Sequence, residues 1–240
     1  MRPESSLDGA RVLLFAPGHH LEPLAADAAA EAEIWVLDLE DLVPPSAKDD
    51  ARARVLAFID ALTSERRART YLRVSQPDPT AARPDELAIA SAVAGVVLPK
   101  VESTEVVAKV AGALGPAATL ITTFETPRGV LRAAELIDAS PKVAGALFGP
   151  GDMSLSLDLP PGRTVGLTTA RSLVVLAAKA AGVVSIDGGY MVEDDLDGLA
   201  VEAERSRDLG FDAKLTVFPP HVPLVRAALG RDRAVAPHHR

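Results

Sequence analysis

The sequence contains no cysteine. This absence excludes disulfide scaffolds, thiolate zinc sites and cysteine nucleophiles, and it fits a reducing cytoplasm, where we expect the protein. Aromatic residues are also scarce, at 4% of the chain, whereas hydrophobic residues make up 48%. The core must therefore be built mainly from aliphatic side chains.

An excess of basic residues is absent too. The formal net charge is −8, and a nucleic-acid-binding protein usually presents a basic face, so we expect no nucleic-acid partner. No apolar run approaches the ~18 residues that a membrane span needs. The N-terminal sequence MRPESSLDGAR lacks the apolar core of a signal peptide. We therefore expect no membrane partner.

What the sequence does contain is a series of eight short, nearly continuous apolar runs. Runs of this kind are typical of parallel strands that are buried on both faces. The predicted strands are 12–17, 34–40, 70–75, 95–100, 119–125, 144–150, 183–189 and 213–219.

Alanine-rich segments with helical spacing separate these runs, most clearly at 46–63, 102–113, 127–139, 168–181 and 193–208. Alternating strands and helices in 240 residues predict an α/β fold, the (β/α)8 TIM barrel, with an open doubly wound sheet as the alternative. We expect one catalytic barrel domain over residues 1–230 and a flexible C-terminal tail over residues 231–240.

Local signals mark several helix ends. Ser46, followed by Asp49, is a candidate N-cap, and Thr126 precedes a proline at the first helical position. Gly182 and Gly210 stand just past two helices, where a left-handed residue is favoured.

Glu125 ends the fifth predicted strand and Asp152 lies just beyond the sixth, at the end of the barrel where such folds carry their chemistry. Two carboxylates suit a hard cation, so we predict that this pair binds Mg²⁺, with Mn²⁺ as the alternative ion. Gly149, Pro150 and Gly151 precede Asp152, and we expect them to contact the substrate, because glycine lets the backbone approach a ligand closely. The alternative is structural: Asp152 caps the next helix and Glu125 begins one.

Asp38 and Glu40 end the second predicted strand, and Arg73 lies inside the apolar run of the third. Buried carboxylates need partners, and Arg11, Arg73 or metal-bound water are the candidates for these acids. A guanidinium at Arg73 can hold a carboxylate or a developing enolate oxygen. The alternatives are a structural ion pair between Asp38 and Arg11, and a solvent-facing Arg73.

Lys100 ends the fourth predicted strand. A Schiff-base lysine there indicates a metal-free aldolase. The alternative, which we favour, is an ion pair with Glu102 or Glu125.

These residues stand within seven blocks that carry a family resemblance. In order along the chain, the blocks are 11–18, 36–52, 71–75, 96–103, 122–130, 147–154 and 209–220. Together they resemble the citrate lyase β-subunit-like (CitE-like) family, which is part of the HpcH/HpaI aldolase group of Mg²⁺-dependent barrels.

The resemblance implies a metal-dependent carbon–carbon lyase that cleaves or forms citryl-, malyl- or citramalyl-CoA with a small 2-keto acid. It implies that Glu125 and Asp152 hold Mg²⁺, that Arg73 binds the keto acid or enolate oxygen, and that Glu40 contacts a metal-bound water. Arg11 is expected to pair with the acids of 38–41 or to bind a substrate carboxylate. The family resemblance also implies a homotrimer or homohexamer.

The sequence departs from the family pattern at several positions. Ser75 stands where the family has asparagine, and Val217-Phe218-Pro219 replaces its IHP motif, while His221 stands at the following glutamine position. The C-terminal helices of many members, which in some supply an acidic catalytic residue, are expected to be lacking. Asp38 or Glu40, acting through water, is then the predicted base. The alternatives are an aldolase that acts on free hydroxy-keto acids without CoA, and a non-catalytic relative that binds CoA esters or keto acids.

Overall fold

The computed structural model describes residues 5–75, 82–160 and 165–230. Its eight strands are all parallel and close into a barrel in sequence order, since β1 pairs with β8. The strands are β1 Val12–Pro17, β2 Ile34–Asp38, β3 Thr70–Arg73, β4 Gly95–Leu98, β5 Thr119–Phe124, β6 Val143–Phe148, β7 Val184–Asp187 and β8 Ala213–Thr216. This architecture confirms the predicted TIM barrel. The tail predicted over 231–240 lies outside the described residues.

Helices surround the barrel. Within the described residues they are α1 Asp27–Ala30, α2 Lys48–Ala61, α3 Ser64–Arg67, α4 Pro84–Ala90, α5 Thr104–Ala113, α6 Pro127–Leu131, α7 Ala133–Asp138, α8 Pro150–Ser156, α9 Thr168–Ala181, α10 Leu196–Leu209 and α11 Val222–Gly230. Short 3₁₀ turns occupy Glu22–Ala25, Pro45–Ala47, Val165–Leu167 and Pro219–His221. No helix of the described part of the chain has the length and apolar character needed to cross a membrane.

Alternation along each strand divides the core into two layers. On β1, Leu13 and Phe15 belong to the cluster that fills the barrel, whereas Leu14 and Ala16 belong to the larger cluster between strands and helices. Both faces of the strand are therefore apolar, which explains the continuous hydrophobic runs in the sequence. At the N-terminal end of the barrel, the buried Tyr71 hydroxyl hydrogen-bonds to Thr119 Oγ1 at 2.7 Å.

The long predicted helices are present, with shifted ends. The predicted helix 168–181 coincides with α9. The predicted helix 127–139 is divided into α6 and α7, because Arg132 leaves helical geometry, with φ −110° and ψ 13°.

The structure confirms three of the four predicted helix caps and contradicts one. Thr126 accepts a hydrogen bond from Gly129 N at 3.1 Å, and Gly182 and Gly210 adopt the left-handed conformation at φ 68° and 99°. Ser46 is not the N-cap of α2. It lies inside the 3₁₀ turn that begins at Pro45, so α2 starts two residues later, after Ala47.

Candidate active site

The two predicted metal ligands lie together at the C-terminal end of the barrel. Glu125 directly follows β5, and Asp152 lies in the first turn of α8, after β6. β5 and β6 are paired from Leu120 opposite Val143 to Phe124 opposite Phe148, so the segments that follow the two strands are neighbours. Both carboxylates line one cavity of about 220 Å³. The structure therefore brings together the pair that the sequence indicated.

This pair is electrostatically suited to a cation. Burial raises the pKa of Glu125 to about 7, and the negative charges of Glu40 and Asp152 act in the same direction. Asp152 Oδ2 is buried and accepts no hydrogen bond from the described residues, although Lys100 Nζ lies 3.1 Å away as an ion-pair partner. The donors are all oxygens, and no larger cluster of His, Asp or Glu suited to a metal occurs in the described residues. This set fits Mg²⁺, which takes one or two carboxylates and completes its octahedron with water and substrate oxygens.

Arg73, which also lines the cavity, is held firmly by Asp38. The guanidinium donates from Nε to Asp38 Oδ1 and from Nη2 to Asp38 Oδ2, both at 2.6 Å. Register explains the contact, since Asp38 and Arg73 are paired on β2 and β3. Burial lowers the pKa of Arg73, but the charges of Asp38 and Glu40 outweigh burial and raise it overall. Arg73 therefore stays charged beside the predicted metal site, and it does not face solvent.

Asp38 has no free acceptor position for a further proton donor. Its two oxygens also accept the backbone N–H groups of Glu40 at 2.8 Å and Leu42 at 2.9 Å. Four hydrogen bonds occupy the acceptor positions of this carboxylate and fix its orientation. Of the two predicted roles for this residue, the geometry favours that of an ion-pair partner over that of a base.

Glu40 lies beside Arg73 and Lys100. Glu40 Oε2 is 3.3 Å from Arg73 Nη1, and Glu40 Oε1 accepts a hydrogen bond from Lys100 Nζ at 2.5 Å. Burial raises the pKa of Glu40 despite these two cations. Its neighbour Asp41 lines the cavity and is more exposed. A buried carboxyl with a raised pKa next to a cavity is suited to proton transfer.

Lys100 has partners other than those predicted. Its side chain contacts Glu40, Asp41 and Asp152, not Glu102 or Glu125, although its backbone N–H donates to Glu125 Oε1 at 2.7 Å. The residue has φ 50°, a left-handed conformation that is unusual for lysine. Burial lowers the pKa of Lys100, but the surrounding carboxylates raise it overall. A raised pKa keeps the amine protonated and hence non-nucleophilic, which is evidence against the Schiff-base alternative.

The segment Gly149–Gly151 lies against the predicted metal site, and its three residues line the cavity. A Cβ on Gly149 would stand 2.5 Å from Glu125 Cβ and 2.5 Å from Glu125 Oε2. Glycine is therefore required for β6 to end so close to Glu125. Pro150 follows at the first position of α8.

Arg11 is not part of this site, so the prediction of its partners is wrong. It immediately precedes β1 and thus lies at the opposite end of the barrel. Its Nη1 donates to the backbone oxygens of Ala10 and Asp212, at 3.3 and 3.5 Å. The acid that was expected to pair with it, Asp38, is bound by Arg73 instead.

Other polar strand ends also turn away from the cavity. Asp187 follows the inward-facing Ile186 and therefore faces the helices, where Lys214 and Ser206 bind it at 3.0 and 2.5 Å. Ser75 donates from its backbone and its hydroxyl to Glu86, at 2.6 and 2.5 Å.

The residues after β8 are divided between the cavity and the protein interior. Val217 lines the cavity in the place where the resemblance leads one to expect the IHP motif. His221 is fully buried, and its Nε2 hydrogen-bonds to Glu193 O at 2.8 Å.

Several residues that line the cavity were not predicted from the sequence, among them Phe15 and Thr123. Both line the cavity together with Arg73 and Glu125. The alternation of β5 was the available signal, because Thr123 stands two residues before Glu125 and so shares its face.

Comparison with known proteins gives a consistent result. A family model described as HpcH/HpaI aldolase/citrate lyase matches residues 11–219. A (3S)-malyl-CoA thioesterase from Cereibacter sphaeroides is 35% identical over 217 residues, which is 89% of this chain and 75% of the relative.

Solved structures of the protein CitE from Mycobacterium tuberculosis are similar over nearly the whole chain. The complex with magnesium and pyruvate has a TM-score of 0.79 and 31% identity, and the match covers 95% of this chain and 92% of that one. The complex with magnesium, acetoacetate and coenzyme A has a TM-score of 0.78 and 30% identity, and the match covers 93% of this chain and 82% of that one.

Proposed function

Because the chain belongs to the HpcH/HpaI aldolase/citrate lyase family, we propose that it is a Mg²⁺-dependent carbon–carbon lyase. Its proposed substrates are a hydroxyacyl-CoA of the malyl, citramalyl or citryl type and, in the reverse direction, a small 2-keto acid with an acyl-CoA. The single observation that carries the proposal is the convergence of Glu125 and Asp152 on one cavity beside a buried, charged Arg73.

Glu125 and Asp152 are the proposed ligands of Mg²⁺. The ion, when bound, supplies positive charge at the oxygens of the keto acid. The structures of CitE with magnesium and pyruvate, and with magnesium, acetoacetate and coenzyme A, support this assignment. Lys100 holds both carboxylates in place, through its backbone N–H and its ammonium group.

The bond change requires one proton acceptor and one stabilised carbonyl. In cleavage, the substrate hydroxyl loses its proton, the adjacent carbon–carbon bond breaks, and the hydroxyl oxygen becomes the keto oxygen. The electron pair of the broken bond moves to the α-carbon of the thioester, which takes a proton from water to give the acyl-CoA, and the proton lost from the hydroxyl is returned to the solvent. We assign the hydroxyl proton to the Glu40 carboxyl group, reached through water, and the stabilisation of the developing carbonyl to Arg73, which Asp38 holds in position.

Hydrolysis of the same thioesters is a second candidate function. It is favoured by the 35% identity to a (3S)-malyl-CoA thioesterase. The two reactions release different products from malyl-CoA: a lyase gives glyoxylate and acetyl-CoA, and a thioesterase gives malate and free CoA.

An assay with Mg²⁺ and malyl-, citramalyl- and citryl-CoA tests the proposal, with keto acid and free thiol measured separately. We expect keto acid release by the wild-type chain, no metal-dependent turnover for Glu125→Gln, and a fall of about 100-fold for Glu40→Gln. Free thiol without keto acid supports the thioesterase. Activity on free hydroxy-keto acids alone supports a CoA-independent aldolase, and ligand binding without turnover supports a non-catalytic relative. Undiminished turnover of Glu125→Gln refutes the metal assignment.

A further inference from the structure

Two adjacent threonines on β5 have opposite environments. Thr122 faces the helices, and its hydroxyl donates to Gly145 O at 3.3 Å. Thr123 is 1% exposed, and its Oγ1 has no hydrogen-bond partner within the described residues. Buried hydroxyls are nearly always hydrogen-bonded in folded proteins, so an unpartnered one calls for an explanation.

Thr123 is placed where a ligand can supply that partner. Ile121 belongs to the cluster that fills the barrel, and by alternation Thr123 and Glu125 follow it on the inner face. The cavity that contains Glu125 is lined by Thr123 together with the apolar side chains of Phe15 and Leu147. The hydroxyl thus adds a hydrogen-bond donor to an apolar part of the wall.

The site also needs a further hydrogen-bond donor for the oxygens of the keto acid. Nε and Nη2 of Arg73 both donate to Asp38, and Nη1 lies 3.3 Å from Glu40 Oε2, so much of the guanidinium is already engaged. A 2-keto acid presents three oxygen acceptors in a small volume. A hydroxyl on the wall can satisfy one of them that Arg73 does not reach.

We propose that Thr123 is a substrate-binding residue that donates a hydrogen bond to an oxygen of the small 2-keto acid. This inference rests on the proposed function, since it places the keto acid at the Glu125–Asp152 site. It makes Thr123 a specificity determinant, because a site built around a hydrogen bond discriminates strongly against a ligand that lacks the matching oxygen.

The test compares two isosteric substitutions, Thr123→Val and Thr122→Val. Calorimetric titration with pyruvate in saturating Mg²⁺ gives the Kd of each, and titration with Mg²⁺ alone gives the metal affinity. We expect Thr123→Val to raise the pyruvate Kd about tenfold and to leave the Mg²⁺ Kd unchanged. Thr122→Val, with the same loss of a hydroxyl on the other face of β5, is expected to keep the pyruvate Kd within twofold of wild type.

Thermal unfolding without ligand separates a binding role from a structural one. Thr123→Val is expected to unfold at or above the wild-type temperature, because it removes an unpartnered hydroxyl, whereas Thr122→Val loses a hydrogen bond and unfolds earlier. Thr123→Ser keeps the donor and is expected to bind pyruvate nearly as the wild type does.

Three results overturn the inference. An unchanged pyruvate Kd for Thr123→Val rejects the contact while leaving the proposed function intact. Loss of Mg²⁺ affinity in the same variant shows that the residue is structural. A wild-type chain that binds Mg²⁺ but no keto acid overturns the proposed function, and this inference with it.

Discussion

At the scale of single residues, the site depends on one glycine as much as on its carboxylates. Gly149 directly follows β6 and lies against Glu125, and a Cβ there would stand 2.5 Å from both Cβ and Oε2 of Glu125. Real structures do not tolerate that separation, so a larger residue must displace either the strand end or the carboxylate.

We therefore expect Gly149→Ala to weaken Mg²⁺ binding by at least tenfold, because it moves Glu125 away from Asp152. Calorimetric titration with Mg²⁺ measures the effect. Gly112→Ala is the matched control, since a Cβ at that position on α5 meets nothing within 4 Å. Equal Mg²⁺ affinity in the two variants contradicts the argument.

At the scale of secondary-structure elements, β7, β8 and the helices outside them are joined by buried charges. Asp187 on β7 binds Lys214 on β8 at 3.0 Å and Arg171 on α9, and all three side chains are at most 4% exposed. Burial raises the pKa of Asp187, but the charges of Lys214 and Arg171 outweigh it and lower the pKa overall. The carboxylate therefore stabilises the fold above its unfolded pKa of about 4, and this contribution is lost as the pH falls through the lower folded value.

We expect Asp187→Asn to lower the free energy of unfolding at pH 7 by about 3–5 kcal/mol, because it removes the carboxylate that Lys214 and Arg171 share and leaves Arg171, among the carboxylates of the described residues, only the more distant Glu202, at 3.6 Å. The asparagine does not titrate, so the difference from wild type should narrow below about pH 4. Denaturant unfolding at several pH values measures both effects. Asp50→Asn, which breaks the exposed pair with Arg54, is the control and should cost less than about 1 kcal/mol. A similar cost for the two variants sinks the argument.

The same elements show what sequence patterns can and cannot predict. The eight strands were predictable because burial on both faces makes each one continuously apolar, and Gly182 and Gly210 were predictable because only a left-handed residue suits those helix ends. The start of α2 was not predictable from these signals. Ser46 has the side chain of an N-cap, but it lies inside the 3₁₀ turn that begins at Pro45.

For the site, the order of the predicted strands was enough to predict that Glu125 and Asp152 lie close together. The error at Arg11 arose because the need of buried Asp38 for a partner, and then the family resemblance, were both applied to a residue that precedes its strand, at the opposite end of the barrel. Lys100 was assigned to Glu102 or Glu125, whereas its side chain contacts Glu40 and Asp41, which follow β2 at the same end of the barrel. Sequence spacing does not encode such long-range contacts.

At the scale of the whole molecule, the proposed metal site couples binding to folding. The unfolded chain does not hold Glu125 and Asp152 together, so Mg²⁺ binds the folded state and must stabilise it. When its free concentration is 100 times its Kd, a ligand that binds only the folded state adds about 2.7 kcal/mol to the free energy of unfolding. For a chain of this length we therefore expect Mg²⁺ to raise the Tm by roughly 5–10 °C, reversed by EDTA.

Glu125→Gln separates the stabilisation by Mg²⁺ from the stability of the metal-free protein. Burial and neighbouring negative charges oppose ionisation of Glu125, whose pKa is raised to about 7, so the metal-free wild type carries an unfavourable charge at pH 8. A neutral amide removes that charge. The variant is therefore expected to match or exceed the wild-type Tm without metal, yet to show no rise when Mg²⁺ is added. Scanning calorimetry at pH 8 with and without Mg²⁺ measures both quantities, and a Mg²⁺-dependent rise in the variant as large as in wild type would mean that the ion binds elsewhere.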